Sequence, residues 1–182
     1  MWNTRWSTNE NNCNFFKYKD CFYEFCNSNT NIDFVYRPHP QAFLEWNATG
    51  EFTKEEQIAF REKYEKTNNM HIDESKNYYD LLFSSDLLIS DYSSLILDYL
   101  ITKKPIIYCE QENCKMIGDI GNVKEALYIV HNWDELVNTI EELIIGNDPL
   151  KMNRIKYRKQ IKDKNNNPAY DIVNTIYMDA NK

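Results

Sequence analysis

Short apolar runs that end in polar turns alternate along this chain with longer stretches of helical spacing. The run from Ile32 to Tyr36 stops at Arg37-Pro38-His39-Pro40, where two prolines exclude both a helix and continued sheet pairing. The run from Leu87 to Ile89 stops at Ser90-Asp91-Tyr92-Ser93-Ser94, and the run from Pro105 to Cys109 follows soon after it. These runs are apolar on both faces, which is typical of buried parallel strands.

The intervening stretches have the periodicity of amphipathic or buried helices. Thr53 and Glu56 have the spacing of a capping box, and Gly146 is placed to end a helix. We predict helices over Phe15 to Cys26, Thr53 to Tyr64, Ser75 to Ser84, Leu95 to Ile101, Trp133 to Ile145, and from Pro149 onward with a break near Pro168. Alternating strands and helices predict an α/β fold, a Rossmann-like doubly wound parallel sheet over residues 1–164. Residues 165–182 are expected to form a C-terminal loop and helix packed on that domain.

Ligands of open parallel sheets bind beyond the carboxyl ends of the strands. Both polar turns follow predicted strands, so we expect them on one rim of the domain. Ser93 and Ser94 open a helix, where two hydroxyls and unpaired N–H groups can hold a phosphate without a glycine-rich loop. The alternative is that Asp91 or Ser93 merely caps the helix.

The two carboxylates near this turn have less obvious roles. Asp91 is unsuited to phosphate because like charges repel, so a polyol hydroxyl or a backbone cap is the better partner. Asp98 lies one turn beyond Ser94 and could meet a ribose hydroxyl, or it could be solvated or paired with Lys103 or Lys104.

Arg37 and His39 flank a proline that stiffens their loop, so both side chains can face one ligand. An arginine can neutralise a pyrophosphate, while a histidine can take a proton from an attacking hydroxyl. The alternative is a structural loop histidine. His71 and His131 are expected to be structural.

Charge and composition narrow the function classes. The 182 residues carry a formal net charge of −7, which argues against nucleic-acid binding. Basic residues nevertheless concentrate between residues 151 and 164, where a helix could rest on an anionic membrane or simply be solvated. The basic residues of this segment are Lys151, Arg154, Lys156, Arg158, Lys159, Lys162 and Lys164.

Cysteine usage and hydropathy indicate a reducing compartment. The five cysteines have no CxxC spacing and are expected to be free thiols. No stretch is long and apolar enough for a membrane span or a signal peptide, so we expect a cytoplasmic protein that is attached at most to a surface. No metal-ligand motif or cofactor motif is present, so no cofactor is expected.

Three passages carry a resemblance to a known family. They are Tyr36-Arg37-Pro38-His39-Pro40, the stretch from Ser85 to Ser94 followed by Lys104-Pro105-Ile106-Ile107-Tyr108, and the opening Thr4-Arg5-Trp6 with Phe15-Phe16. Together they resemble the CDP-glycerol glycerophosphotransferase family, which builds teichoic-acid-like and capsular poly(polyol phosphate) chains. The similarity extends from Trp2 to around Ile145.

The resemblance implies the C-terminal, donor-binding half of a GT-B type transferase that moves a polyol phosphate from a CDP-activated donor to a polymer or lipid-linked acceptor hydroxyl. It implies a catalytic role for His39 and substrate contacts from Arg5, Arg37, Asp91, Ser93, Ser94 and Asp98. It also implies attachment to the inner face of the cell membrane, where segment 151–164 could rest on anionic lipid. The family's first half contributes a further histidine in a His-Gly motif, and no histidine here precedes a glycine. We therefore expect an N-terminal half to be required as a partner.

Two other functions stay open at this stage. One is the donor domain of a GT-B nucleotide-sugar glycosyltransferase, which would also bind a diphosphate at a helix start. The other is a nucleotide-binding fragment without catalytic activity. Preference for a UDP-, GDP- or CMP-sugar over a CDP-polyol would indicate the glycosyltransferase. Comparing the activity of the chain alone with its activity after an N-terminal half is supplied would distinguish a catalytic half from a fragment without activity.

Overall fold

The computed structural model describes residues 1–7, 13–111, 114, 116–164, 170, 173, 177 and 178. Within these ranges six strands form one sheet: β1 (Trp2–Asn3), β2 (Phe34–Arg37), β3 (Met70–Ile72), β4 (Leu88–Ser90), β5 (Ile106–Cys109) and β6 (Tyr128–Val130). All neighbours pair in parallel, in the order β3-β2-β1-β4-β5-β6. This is the strand order of a Rossmann-like doubly wound domain, and it confirms the predicted fold class.

Eight helices of the described chain cover the two faces of the sheet. They are α1 (Phe15–Ser28), α2 (Ala42–Thr49), α3 (Lys54–Glu65), α4 (Tyr79–Ser84), α5 (Leu95–Tyr99), α6 (Gly118–Asn122), α7 (Trp133–Ile144) and α8 (Lys151–Lys164). Buried residues of α1, α2, α3 and α7 pack in one core cluster, and those of α4, α5 and α6 pack in another. The sheet is therefore covered on both sides, as expected for strands apolar on both faces.

The first of these clusters is mainly aromatic. The Trp2 and Phe15 rings are fully buried, and the Phe15 ring stacks on Trp46 with 4.5 Å between ring centroids. Aromatic side chains bury a large apolar area each, so this face supplies much of the hydrophobic stabilisation. The opposite face is mostly aliphatic, with Leu88, Ile96 and Ile106 fully buried.

Three predicted strands and most predicted helices are confirmed with small shifts of their ends. The first predicted strand begins at Phe34 rather than Ile32, because the Ile32 N–H closes a turn on the Asn29 carbonyl at 3.1 Å. The capping box of α3 is present, since Thr53 accepts from the Glu56 N–H and Glu56 accepts from the Thr53 N–H. Gly146 has a φ of +88°, a left-handed conformation that suits glycine after α7.

Two predicted helices are shorter than expected. The helix predicted from Ser75 begins at Tyr79, because Ser75 donates from its N–H to Asp73 and from its hydroxyl to the Asn77 carbonyl, in place of helical bonds. The helix predicted from Leu95 to Ile101 is α5 followed by a 3₁₀ turn over Leu100–Thr102. β1, β3, β6, α2 and α6 were not predicted.

The basic helix α8 is only partly a surface feature. Its Arg154 side chain is fully buried, so this cation of the predicted basic segment is not available to an anionic surface. Lys151, Lys156 and Lys159 are exposed. The predicted break near Pro168 and the C-terminal loop lie outside the described residues. None of the helices in the described part of the chain has the length and hydropathy needed to span a bilayer.

Candidate functional site

The predicted site residues follow three adjacent strands. Asn3, the last residue of β1, lies opposite Arg37 of β2 and Ser90 of β4 in the sheet register. The loops that leave these strands therefore begin side by side at the carboxyl edge, near the point where the strand order reverses. This is the usual ligand position in an open α/β sheet. The two polar turns share one rim, as the sequence predicted.

Asp91 joins the loop after β1 to the start of α1. One carboxylate oxygen accepts from the backbone N–H groups of Arg5 at 3.1 Å and Asn14 at 2.9 Å, and the other accepts from the Asn14 side-chain amide at 2.7 Å. The residue is almost fully buried, and this burial raises the pKa of Asp91 to about 7 although its donors and the Arg5 cation act to lower it. Asp91 therefore serves as an acceptor for backbone N–H groups, as one of its two expected roles required, but at the start of α1 and not at the helix that follows Ser94.

This carboxylate also affects where a phosphate can bind. It lies beside the amino-terminal end of α1, a position that favours negative charge and holds the pyrophosphate in many Rossmann-like domains. Because Asp91 occupies that position, a ligand phosphate is better accommodated at the other loops of the rim.

A second group of side chains lies close to the contacts of Asp91 and consists of Arg5, Trp6 and His39. The Trp6 and His39 ring centroids are 6.0 Å apart, and the Arg5 guanidinium lies 6.0 Å from the centroid of the Tyr92 ring. Burial, followed by the Arg5 cation, lowers the pKa of His39 below its ordinary value of 6.5. His39 is therefore mostly neutral at pH 7 and able to accept a proton.

The His39 ring is held by its own loop. Its Nδ1 accepts from the Gln41 N–H at 3.2 Å. Because Nδ1 is an acceptor, the proton of the neutral ring lies on Nε2. No hydrogen bond joins Nε2 to any residue of the described ranges.

Ser93 and Ser94 differ in their environments. The Ser93 hydroxyl accepts from the Leu95 N–H at 3.2 Å and so satisfies part of the start of α5, while Ser94 is exposed and makes no side-chain cap bond. With five residues, α5 contributes only a short helix dipole. An anion at this turn would therefore depend mainly on the hydroxyls and on nearby cations rather than on the helix dipole.

Arg37 and Asp98 lie in a separate cluster. The Arg37 guanidinium pairs with Asp73, donates to the Ser75 carbonyl at 2.9 Å, and lies 5.3 Å from the Tyr78 ring centroid. The Tyr78 hydroxyl donates to Asp98 at 3.0 Å. Tyr78 thus links two predicted site residues that the sequence assigned to one ligand.

The sequence did not predict two residues that contribute contacts to these clusters, Asn14 and Tyr78. Asn14 could have been found from its position immediately before a predicted helix, whereas the contact of Tyr78 with α5 depends on topology alone.

The two histidines expected to be structural lie away from these clusters. His71 is exposed on β3, and His131 Nδ1 lies 3.4 Å from a Glu110 carboxylate oxygen. Lys104 donates to the Phe83 and Ser85 carbonyls, so it is not the partner of Asp98.

A cleft of about 470 Å³ lies at the opposite, amino-terminal edge of the sheet. Its lining includes Phe22, Phe25, Leu87 and Ile144 and none of the predicted site residues. Three or more His, Cys, Asp or Glu side chains do not gather into a metal-binding group anywhere in the described ranges. The rim therefore remains the better candidate for polar ligand chemistry.

Comparison with known proteins identifies a matching family. The model of the family described as CDP-glycerol:poly(glycerophosphate) glycerophosphotransferase matches residues 27–177, which include both polar turns of the rim. The match begins later and extends further than the similarity read from the sequence motifs. No solved structure matches.

Two curated relatives show how the similarity is distributed. The chain is 51% identical over 67 residues to the teichoic acid ribitol-phosphate polymerase TarL of Staphylococcus aureus, covering 34% of this chain and 12% of that protein. It is 28% identical over 130 residues to the minor teichoic acid biosynthesis protein GgaB of Bacillus subtilis, covering 65% of this chain and 14% of that protein. The chain thus matches only a small part of each relative's length.

Proposed function

The chain belongs to the CDP-glycerol:poly(glycerophosphate) glycerophosphotransferase family, and from this premise we propose that it supplies the donor-binding domain of a teichoic acid polyol-phosphate transferase. The observation that carries the proposal is the convergence of Arg5, His39 and the Ser93–Ser94 turn on one rim at the reversal of strand order. The family match includes two of these three elements. The donor is a nucleotide-activated polyol, and the acceptor is a polymer or lipid-linked hydroxyl.

The reaction that this rim would serve is a phosphoryl transfer. The acceptor oxygen attacks the phosphorus that bears the polyol, the bond from that phosphorus to the bridging oxygen breaks, and CMP leaves with the electron pair. Arg5 and the Ser93 and Ser94 hydroxyls stabilise the charge on the diphosphate. His39, neutral at pH 7, takes the acceptor proton.

The identity of the polyol is part of the proposal. CDP-glycerol follows from the family description, and the name of the TarL relative makes CDP-ribitol the alternative to test. The chain spans about an eighth of that relative, so an N-terminal half is proposed to complete the acceptor side.

Isothermal titration calorimetry of the chain with CDP-glycerol, CDP-ribitol, CDP, UDP and GDP tests donor binding. We expect the cytidine nucleotides to bind more tightly than UDP or GDP. Ser94→Trp should weaken binding because it fills the exposed turn, while Ser84→Trp, on the exposed end of α4, should not. Preference for UDP or GDP would favour a nucleotide-sugar glycosyltransferase instead.

The role of His39 is tested in a protein completed with its N-terminal half. His39→Ala should lower kcat much more than it weakens donor affinity, whereas His71→Ala, at an exposed position on β3, should change neither. A His39→Ala protein that is unfolded by circular dichroism would show that this histidine is structural. We expect negligible turnover from the chain alone.

A further inference from the structure

Asp91 and Asn14 form a buried junction between three elements of the rim. The Asn14 side-chain amide donates both to Asp91 and to the Cys109 carbonyl at the end of β5, at 2.7 and 3.1 Å. Asn14 is fully buried and Asp91 is 1% exposed. A buried carboxylate with three N–H donors has few other ways to be satisfied, so its contacts fix the relative positions of the segments that supply them.

One of those segments is the loop after β1. Asp91 holds the Arg5 N–H, the Cys13 thiol donates to the Arg5 carbonyl at 2.8 Å, and the Trp46 indole N–H donates to the Trp6 carbonyl at 2.7 Å. The backbone on both sides of the Arg5 side chain is therefore anchored. The Arg5 cation is close enough to His39 to add to the lowering of the imidazole pKa that burial begins.

We propose that Asp91, held by Asn14, is a positioning residue that fixes Arg5 beside His39 and does not itself contact the donor. The importance of this arrangement for donor binding rests on the proposed function. The arrangement itself concerns only this chain's own residues and can be tested without a ligand.

The charged and titratable surroundings are simple enough for such a test. Arg5 is the cation that acts on both Asp91 and His39. The other titratable side chains that sense Asp91 are thiols and phenols whose pKa values are raised by burial, so they stay neutral near pH 7: Cys13, Tyr18, Tyr36, Tyr108 and Cys109. A change in the pKa of His39 therefore reports mainly on its own burial and on Arg5.

The measurement is an NMR titration of the His39 ring, assigned by comparison with His39→Gln. Arg5→Gln sets the reference, because removing the cation should raise the pKa of His39 toward 6.5. Asp91→Ala should raise it in the same direction, since the Arg5 loop loses its acceptor. Asp91→Asn should leave it nearly unchanged, because one amide oxygen can still accept from the Arg5 and Asn14 backbone N–H groups.

The comparison of Asp91→Ala with Asp91→Asn separates position from charge, because both variants lose the carboxylate charge and only one loses the acceptor. When Arg5 has already been replaced by Gln, the additional Asp91→Ala substitution should change the pKa of His39 little further. Equal shifts in both Asp91 variants, or no shift in Asp91→Ala, would overturn the proposal. If Asp91→Ala is unfolded, Asn14→Ala decides, with a smaller rise expected and no rise contradicting the inference.

Calorimetry with CDP-glycerol on the same variants connects position to function. We expect Arg5→Gln and Asp91→Ala each to lose roughly tenfold in affinity, consistent with loss of one charge-assisted contact, while Asp91→Asn keeps it. If the unmodified chain does not bind CDP-glycerol but His39 shifts as expected, the proposed function fails and the positioning role stands. If the chain binds and His39 does not shift, only the positioning role fails.

Discussion

The attachment of α8 to the sheet depends on a buried ion pair. The Arg154 guanidinium is fully buried, pairs with Asp148, and donates from Nε to the Lys103 carbonyl at 3.0 Å. The Tyr128 hydroxyl donates to the same carboxylate at 2.7 Å. Asp148 itself is 18% exposed, so the pair is largely removed from water.

Asp148→Asn should strongly destabilise the domain. The substitution keeps an acceptor for Tyr128 but leaves the Arg154 cation buried without a counter-charge. Removing one partner of a buried pair costs about 3–5 kcal/mol. In a domain of this size, such a loss lowers the midpoint of thermal unfolding by on the order of 10 °C.

Urea unfolding followed by circular dichroism measures this loss. Lys156→Gln, which removes an exposed cation from the same helix, should change the free energy of unfolding by no more than about 0.5 kcal/mol. In an Arg154→Met background, Asp148→Asn should cost much less because no cation is left stranded. If Asp148→Asn lowers the free energy of unfolding as little as Lys156→Gln does, the reasoning is refuted. It is also refuted if Asp148→Asn costs as much in the Arg154→Met background as it does alone.

Three other outcomes are expected. The raised pKa of Asp91 means that the folded state holds this proton more tightly than the unfolded state does, so the free energy of unfolding should fall as the pH rises from about 4 to about 7. The same dependence of the free energy of unfolding on pH in Asp91→Asn would contradict this. Phe15→Ala should cost about 3–5 kcal/mol in urea unfolding, against no more than about 0.5 kcal/mol for the exposed Phe83→Ala. Sedimentation with vesicles distinguishes the two alternatives for α8: a membrane-resting helix requires salt-sensitive binding to anionic vesicles that is lost in a Lys156→Gln, Lys159→Gln double variant, whereas equal binding to neutral vesicles, or none to either, makes α8 an ordinary solvated helix.

Features set by neighbouring residues were predictable from the sequence. The capping box at Thr53 and Glu56 depends on residues three apart, and the end of β2 depends on Pro38 directly after it. The shared rim was also predictable, because the carboxyl ends of parallel strands meet at one edge. These inferences need only local chemistry and one topological rule.

Features that depend on distant partners were not. β1 is a two-residue strand, too short for any periodicity, and it is defined by its pairing with β2 and β4. Arg154 looks like its exposed basic neighbours in sequence, and only the position of Asp148 and Tyr128 makes it a buried anchor. Local pattern cannot distinguish such residues, because burial is decided by the packing of separate elements.

The predicted site likewise combines features set by neighbouring residues with features set by distant partners. Arg37 and His39 are two residues apart, yet the Arg37 guanidinium is neutralised by Asp73 beyond β3 while His39 lies near Arg5 beyond β1. Asp98 shares Ser94's helix region but accepts from Tyr78. Spacing placed these groups on one rim, and the strand order divided them into two clusters.

This division bears on how an acidic chain could bind an anionic donor. The net charge is −7, and a carboxylate facing the rim would repel a diphosphate. Asp91 is buried under three N–H donors, and Asp73 is paired with Arg37. Because these two carboxylates are engaged inside the fold, neither of them opposes the ligand contacts proposed for Arg5 and Ser94. The acidic composition is therefore compatible with the proposed anion-binding rim, because Asp91 and Asp73 are both engaged in internal contacts.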